Sequence, residues 1–278
     1  MTPNFLQRFG RNLPAVLGFA VIAAVVGIAL LAPWIVPGNP WDIAGPPYLA
    51  PGEEAAFPLG TDVLGRNILT GLLHGAWVSL VIGLAATLAA VVVGAAVGAT
   101  AGFLGGWIDD ALMRFTEIFQ TIPPFLFAIV IVAIFKPSVG IITAAIAAIS
   151  WPGVARLMRG EALRLRNAEF VLSCHAIGMS NVRIITTQIL PNCAPALIVS
   201  ASVMVATAIL TEAGLAFLGL GDPNRMSWGT MIGIGREALR TDWHMCGIPG
   251  IAILVTVLGF NLLGDGLNDA LNPRLAQD

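Results

Sequence analysis

The chain has very little charge. Of its 278 residues 11% are Asp, Glu, Lys or Arg, and 57% are hydrophobic. Soluble domains carry about 25% charge. So few charges cannot cover a water-facing surface, which makes this an integral membrane protein. Lysine is almost absent. Lys136 is the only one and stands between Phe135 and Pro137, so no phosphate-cradling Gly-Lys-Ser/Thr can form. The chain therefore has no Walker-type ATPase of its own. A net charge of −2 excludes a nucleic-acid footprint. Cys174, Cys193 and Cys246 share no metal or redox spacing and read as small apolar fillers. His74, His175 and His244 are isolated loop residues, and no metal site is expected from them. Gly233-Ile-Gly235 fits a loose dinucleotide fingerprint but lacks a βαβ setting. No catalytic or cofactor-binding residues are expected in this chain.

What is present is long apolar runs. A crossing needs about twenty apolar residues. Six runs qualify: Ala15–Val36, Ala76–Ala101, Ala111–Phe135, Val139–Leu157, Ala194–Leu210 and Ile248–Leu263. The first reads as a retained helix, because its core is longer than that of a signal peptide. The third is polar in its first half, and Ile122-Pro123-Pro124 should kink or break it. The reading is an all-α membrane protein of about six transmembrane helices, with both termini on one side.

Six crossings put Arg8, Arg11, Arg114, Arg156, Arg159, Arg164, Arg166, Arg183 and Arg274 on one side. Arg66, Lys136, Arg225, Arg236 and Arg240 fall on the other. The positive-inside rule then makes both termini cytoplasmic. Residues 1–36 are an N-terminal tail and first helix, 37–75 an extracytoplasmic segment, and 76–278 a core of five helices. Gly214–Gly247 is a second external loop. Within the core, Gly94, Gly98 and Gly102 repeat at four-residue spacing, the small-xxx-small pattern of close helix contact; glycine is also simply common in membrane helices.

Between Arg156 and Pro191 the chain turns basic and polar, with five of its fourteen basic residues. Such an island cannot lie in lipid and must project. Leu163–Ser173 can form a helix, Gly178 breaks it, and Ser180 can cap a second helix ending at Pro191. This is a compact knob that another protein can grip. The alternative is a linker held to anionic lipid by its arginines.

The island resembles the coupling loop of binding-protein-dependent ABC importer permeases, residues 158–192 here. Gly178 and Leu190-Pro191 match that family's pattern. Its Glu-Ala-Ala is replaced by Leu172-Ser173-Cys174, and its aliphatic residue before Leu-Pro by Gln188. Leu59-Gly-Thr-Asp62-Val-Leu-Gly65-Arg66-Asn67, Phe217-Leu-Gly-Leu-Gly221, Ser227-Trp228-Gly229 and Phe260 to Pro273 resemble the dipeptide/oligopeptide/nickel branch, second permease of the pair. The resemblance implies a type I ABC importer permease fold in a bacterial inner membrane. It implies a homologous second permease, two cytoplasmic ATPase subunits holding ATP and Mg, and an extracytoplasmic binding protein. It assigns contact with the ATPase to Glu169, Phe170, Val171, Ser173, Cys174, His175, Gly178, Met179, Ser180, Leu190 and Pro191.

Two carboxylates stand apart. Glu117, three residues after Arg114, either lines a pathway or pairs locally. Glu212, at the outer end of the fifth run, faces either a pathway or a neighbouring helix. Asp265, between two glycines, reads as shaping a turn. Peptides are the leading substrate class, with nickel or a metal chelate second. An ATP-independent transporter or channel would need a complete internal site, and a scaffold has no use for the knob.

Overall fold

The computed structural model describes residues 9–10 and 12–271; Arg8, Arg11, Arg274 and Pro273 lie outside them. Among the described residues the secondary structure is helical apart from two isolated β-bridges. The helices are α1 Leu13–Ile35, α2 Ile68–Leu104, α3 Gly106–Thr121, α4 Pro124–Phe135, α5 Val139–Leu165, α6 Glu169–Ala176, α7 Asn181–Leu220, α8 Trp228–Gly235 and α9 His244–Leu271. Caps set several of the starts. Asn12 accepts from Ala15 N at 3.1 Å, Asn67 from Leu69 N at 2.9 Å and Ser227 from Thr230 N at 3.0 Å.

The centre of the bundle is a parallel seam. A Cβ on Gly94 would meet Val154, one on Gly98 the Ala155 carbonyl oxygen, and one on Gly102 that of Arg159. Partners rise in number together, so α2 and α5 run the same way. The glycine repeat is therefore a packing face. In lipid no hydrophobic transfer drives helices together, and close backbone approach supplies the contact instead.

Because α2 and α5 are parallel, α3 and α4 must return the chain between them. They do so with a 79° bend at the predicted proline break. Ala128 and Val132 of α4 pack with Ile82 and Ile142, at the starting end of both seam helices. Counting this bent pair once gives six crossings.

α7 runs back against α2, with Cys193 beside Ala99 and Leu215 beside Ile82. α9 and α1 are antiparallel. Gly259 meets Val21, Gly266 meets Ala15, and Asn12 Nδ2 donates to Asp269 Oδ2 at 2.9 Å. The Leu13 and Leu271 ends thus share one face with the 166–184 segment. The opposite face carries residues 36–67 and 221–243.

Several helix ends differ from the sequence reading. α2 starts at Ile68, well before Ala76, because Asn67 caps it. α5 runs on to Leu165, so the expected helix Leu163–Ser173 is split at Arg166–Ala168. Pro191 does not end a helix. The chain takes a wide π turn at Ile185–Ile189, with Leu190 N bonded to Ile185 O, and Pro191 begins the next α turn. Asp265 shapes no turn: Gly264 and Gly266 are sites of close contact inside α9, and Asp265 is exposed between them. The Gly214–Gly247 loop folds in part as α8.

Candidate functional site

The knob is rooted in a core of its own. Phe103 and Ala99 of α2, Met158, Ala162 and Leu165 of α5, and Ile184, Ile189 and Cys193 of α7 close around the fully buried Val171 of α6. Cys174, Met179 and Leu190 pack against this core while half-exposed. The helix length explains the support. At 1.5 Å per residue the 37-residue α2 is about 55 Å long, against about 30 Å of hydrocarbon. Its last turns, at Ala99 and Phe103, lie in the core that carries the knob.

A Schellman turn shapes the tip. Gly178 N donates to His175 O and Met179 N to Cys174 O, both at 3.0 Å. Gly178 sits at φ 80°, where a side chain is strained. Met179 and Cys174, the two positions whose apolar contact usually accompanies this motif, both pack against the buried core. Ser180 holds the N-cap position of α7 through its backbone, not its hydroxyl: Ile184 N bonds Ser180 O at 3.0 Å.

Glu169, Phe170, Ser173, His175, Ser180 and Pro191 are exposed, and Ser173 Oγ donates to Glu169 O. His175 stacks on Phe103, ring centroids 5.8 Å apart. Three further residues join them: Leu172, Ile177 at 77% exposure and Val182 at 72%. These large apolar side chains make an exposed apolar patch on the polar segment. Val182 belongs by spacing to a stripe with Ile185 and Ile189, and its exposure is seen only in the fold.

A second support was not legible. Arg159 of α5 binds Asp109 of α3 through both oxygens, Nε to Oδ1 at 2.6 Å and Nη2 to Oδ2 at 2.7 Å. Fifty residues separate them, and no spacing rule connects them. The pair ties the start of the bent crossing to the helix that leads into the knob. Asp109 is buried and Arg159 partly open. A double-mutant cycle of Asp109→Asn and Arg159→Gln is expected to give a coupling of about 2 kcal/mol, between the surface and buried cases. Thermal unfolding of the purified protein checks it, and a coupling under about 0.5 kcal/mol would class it with surface pairs.

Glu117 pairs with Arg114 at 3.6 Å on an exposed stretch of α3, the local ion pair of the two readings. Glu212 is 1% exposed and faces a helix partner: Ser227 Oγ donates to its Oε1 at 2.6 Å. The would-be Cβ of Gly229 lies 2.9 Å from both carboxyl oxygens, so α8 is pressed directly on this group. Glu212→Gln keeps an acceptor for Ser227 and should leave thermal stability near wild type. Glu212→Ala removes it and opens a void, costing about 2–4 kcal/mol. Equal stability of the two variants would show that the bond does not matter.

His74 and His244 are not brought together. The Nε2 of His74 donates to Val36 O at 2.9 Å, while His244 is buried beside Gly60.

Comparison with known proteins decides the family. Residues 91–277 match the binding-protein-dependent transport system inner membrane component family. Residues 3–51 match the N-terminal TM domain of oligopeptide transport permease C. The chain belongs to this family of importer permeases. It is 42% identical to the dipeptide transport system permease protein DppC of Escherichia coli K12, over all of this chain and 95% of that one. It is 38% identical to the di/tripeptide transport system permease protein DppC of Pseudomonas aeruginosa, over 98% of this chain and 92% of the relative. In fold it is similar to a chain of the inward-facing MetNI methionine ABC transporter, with a TM-score of 0.62 at 15% identity. That match covers 74% of this chain and 98% of the other. The permease is thus a multi-pass inner-membrane protein, all-helical, with the type I importer fold.

Proposed function

We propose that this permease forms half of the pathway through which an ATP-driven importer brings di- or oligopeptides into the cell. A homologous second permease supplies the other half. The observation that carries the substrate class is the 42% identity to a dipeptide permease along the whole length of the chain.

The knob is the proposed point of entry for force. Its exposed face, from Glu169 through Phe170, Leu172, Ile177 and Ser180 to Val182, docks in a cytoplasmic ATPase subunit that holds ATP and Mg. Placing the knob in the cytoplasm follows from the arginines clustered near it. The core around Val171 ties the knob to α2, α5 and α7, so movement of the ATPase tilts three crossing helices together. The opposite face receives a binding protein loaded with peptide.

Reconstitution tests this. The chain, a second permease, the ATPase subunits and a binding protein in one liposome are expected to take up labelled dipeptide only with ATP. Uptake without the ATPase subunits, or ATP-driven uptake of nickel in place of peptide, would overturn the reading.

A further inference from the structure

The outer half of α1 packs one side on α2, with Ala29 in a shared core with Ile68, Ala76 and Leu80, and leaves Leu30 and Pro33 to line a cleft beside it. At the inner end the two terminal helices touch closely, with Gly18 against the backbone at Gly259 and Leu263. At the outer end a cleft of about 350 Å³ opens between α1, α2 and the loop before α8. Its walls differ in chemistry along their height. Towards the membrane it is lined by Leu30, Pro33, Trp77 and Val78, and at the mouth by Asn39, His74, Asn224 and Arg225.

The mouth offers donors and a positive charge. Arg225 is exposed and has no carboxylate at ion-pair distance among the described residues. Asn39 spends its Oδ1 on Trp41 N, which leaves the amide hydrogens free among the described residues. Asp222 is the nearest acid along the loop. Its two oxygens accept from Asn224 N and Val139 N, and it forms no ion pair with Arg225. Asp42 is exposed on the adjoining segment and does not line the cleft. The His74 bond to Val36 O joins the end of α1 to α2 and fixes the level of the mouth. Trp34 and Trp77, both exposed, lie near this level, where tryptophans mark the membrane interface.

We propose that this cleft binds one phospholipid of the outer leaflet. The anionic phosphodiester sits at Arg225, Asn39 and Asn224, and an acyl chain descends past Pro33, Leu30 and Val78. A free anion would find no use for the apolar wall. A peptide would leave its amides unpaired against it. An amphiphile with an anionic head satisfies both ends.

The test uses the assembled transporter, purified and delipidated. Phosphatidylglycerol is expected to raise its thermal midpoint saturably, and inorganic phosphate at equal concentration to leave it unchanged. Arg225→Ala should raise the half-saturating lipid concentration about fivefold, the worth of one surface cation. Arg225→Lys should stay near wild type. Arg240→Ala, an exposed outer arginine away from the cleft, should behave as wild type. Phosphatidylglycerol with a photoreactive acyl chain should label peptides containing Leu30–Pro33 or Trp77–Val78. Equal loss in Arg225→Ala and Arg240→Ala would overturn the site, as would labelling elsewhere. Cross-linking of the Trp77 surface to the second permease would assign the cleft to that partner instead.

Discussion

Gly178→Val is expected to leave the protein inserted and folded while removing most of the ATP hydrolysis that peptide-loaded binding protein stimulates. The residue sits at φ 80°, with nothing within 4 Å of a Cβ placed on it. Space therefore does not limit the substitution; backbone conformation does. A left-handed conformation costs an ordinary L-residue about 1–2 kcal/mol, and a β-branched one more. That strain falls on the turn between α6 and α7 and not on the core beneath. The turn would open, and the two exposed strips it joins, Leu172–Ile177 and Ser180–Val182, would lose their common orientation. Stimulated hydrolysis should drop at least about tenfold, equivalent to ~1.4 kcal/mol of docking free energy. Gly178→Asn provides the graded comparison, because asparagine tolerates this region of the backbone map, and it should keep most of the activity. Measurement is of ATPase rate in proteoliposomes with and without loaded binding protein. A Val variant coupled as well as wild type would remove the knob from the transmission path.

The larger effect on stability is expected at Gly98. A Cβ there would run into the carbonyl oxygen of Ala155 and lie 2.8 Å from Met158 Cβ. Two of its three nearest neighbours are backbone atoms, which no rotamer change can move. Relief must come from pushing α2 and α5 apart along a seam that also includes Gly94 and Gly102. Gly98→Ala should cost about 1–3 kcal/mol, the usual range for overpacking, and Gly98→Leu should prevent recovery of folded protein from detergent. Gly27→Ala on α1, where nothing lies within 4 Å, is the matched control and should be neutral. Size-exclusion profiles after a heating series would separate the three variants. A stable Gly98→Leu protein would mean that the seam is looser than its geometry.

How much of this was legible in the sequence follows from what each residue can do alone. The knob was legible because arginines and polar residues cannot sit in lipid, so their clustering marks a segment outside it. Gly178 was legible as a helix stop, since glycine is the common residue at that cap. The proline pair at Pro123-Pro124 correctly placed the bend. Three features misled for the same reason. Pro191, Gly264 and Gly266 were read as local breaks, but each is tolerated inside a helix through something not local. Pro191 follows a π turn that has already shifted the hydrogen-bond register. Gly264 and Gly266 make room for Ser202 and Ala15, distant along the chain. Likewise α5 continues past the apolar run with Met158, Ala162 and Leu165 buried in the knob core and Arg159 paired to Asp109 on α3. Of the two acids left open, Glu117 kept to its neighbour in sequence, while the partner of Glu212 required the fold.

Among the crossing helices that are not bent pairs, α1, α5, α7 and α9 each contain an interior proline, whereas α2 has none along its 37 residues. It runs unbroken from its cap at Asn67 on the outer face to Phe103 in the core of the knob. A pivot of about 5° at one end of a ~55 Å rod sweeps the other through roughly 5 Å, close to one helical turn. A tilt at its capped outer end is thereby carried to the knob by leverage, without any relay of side chains.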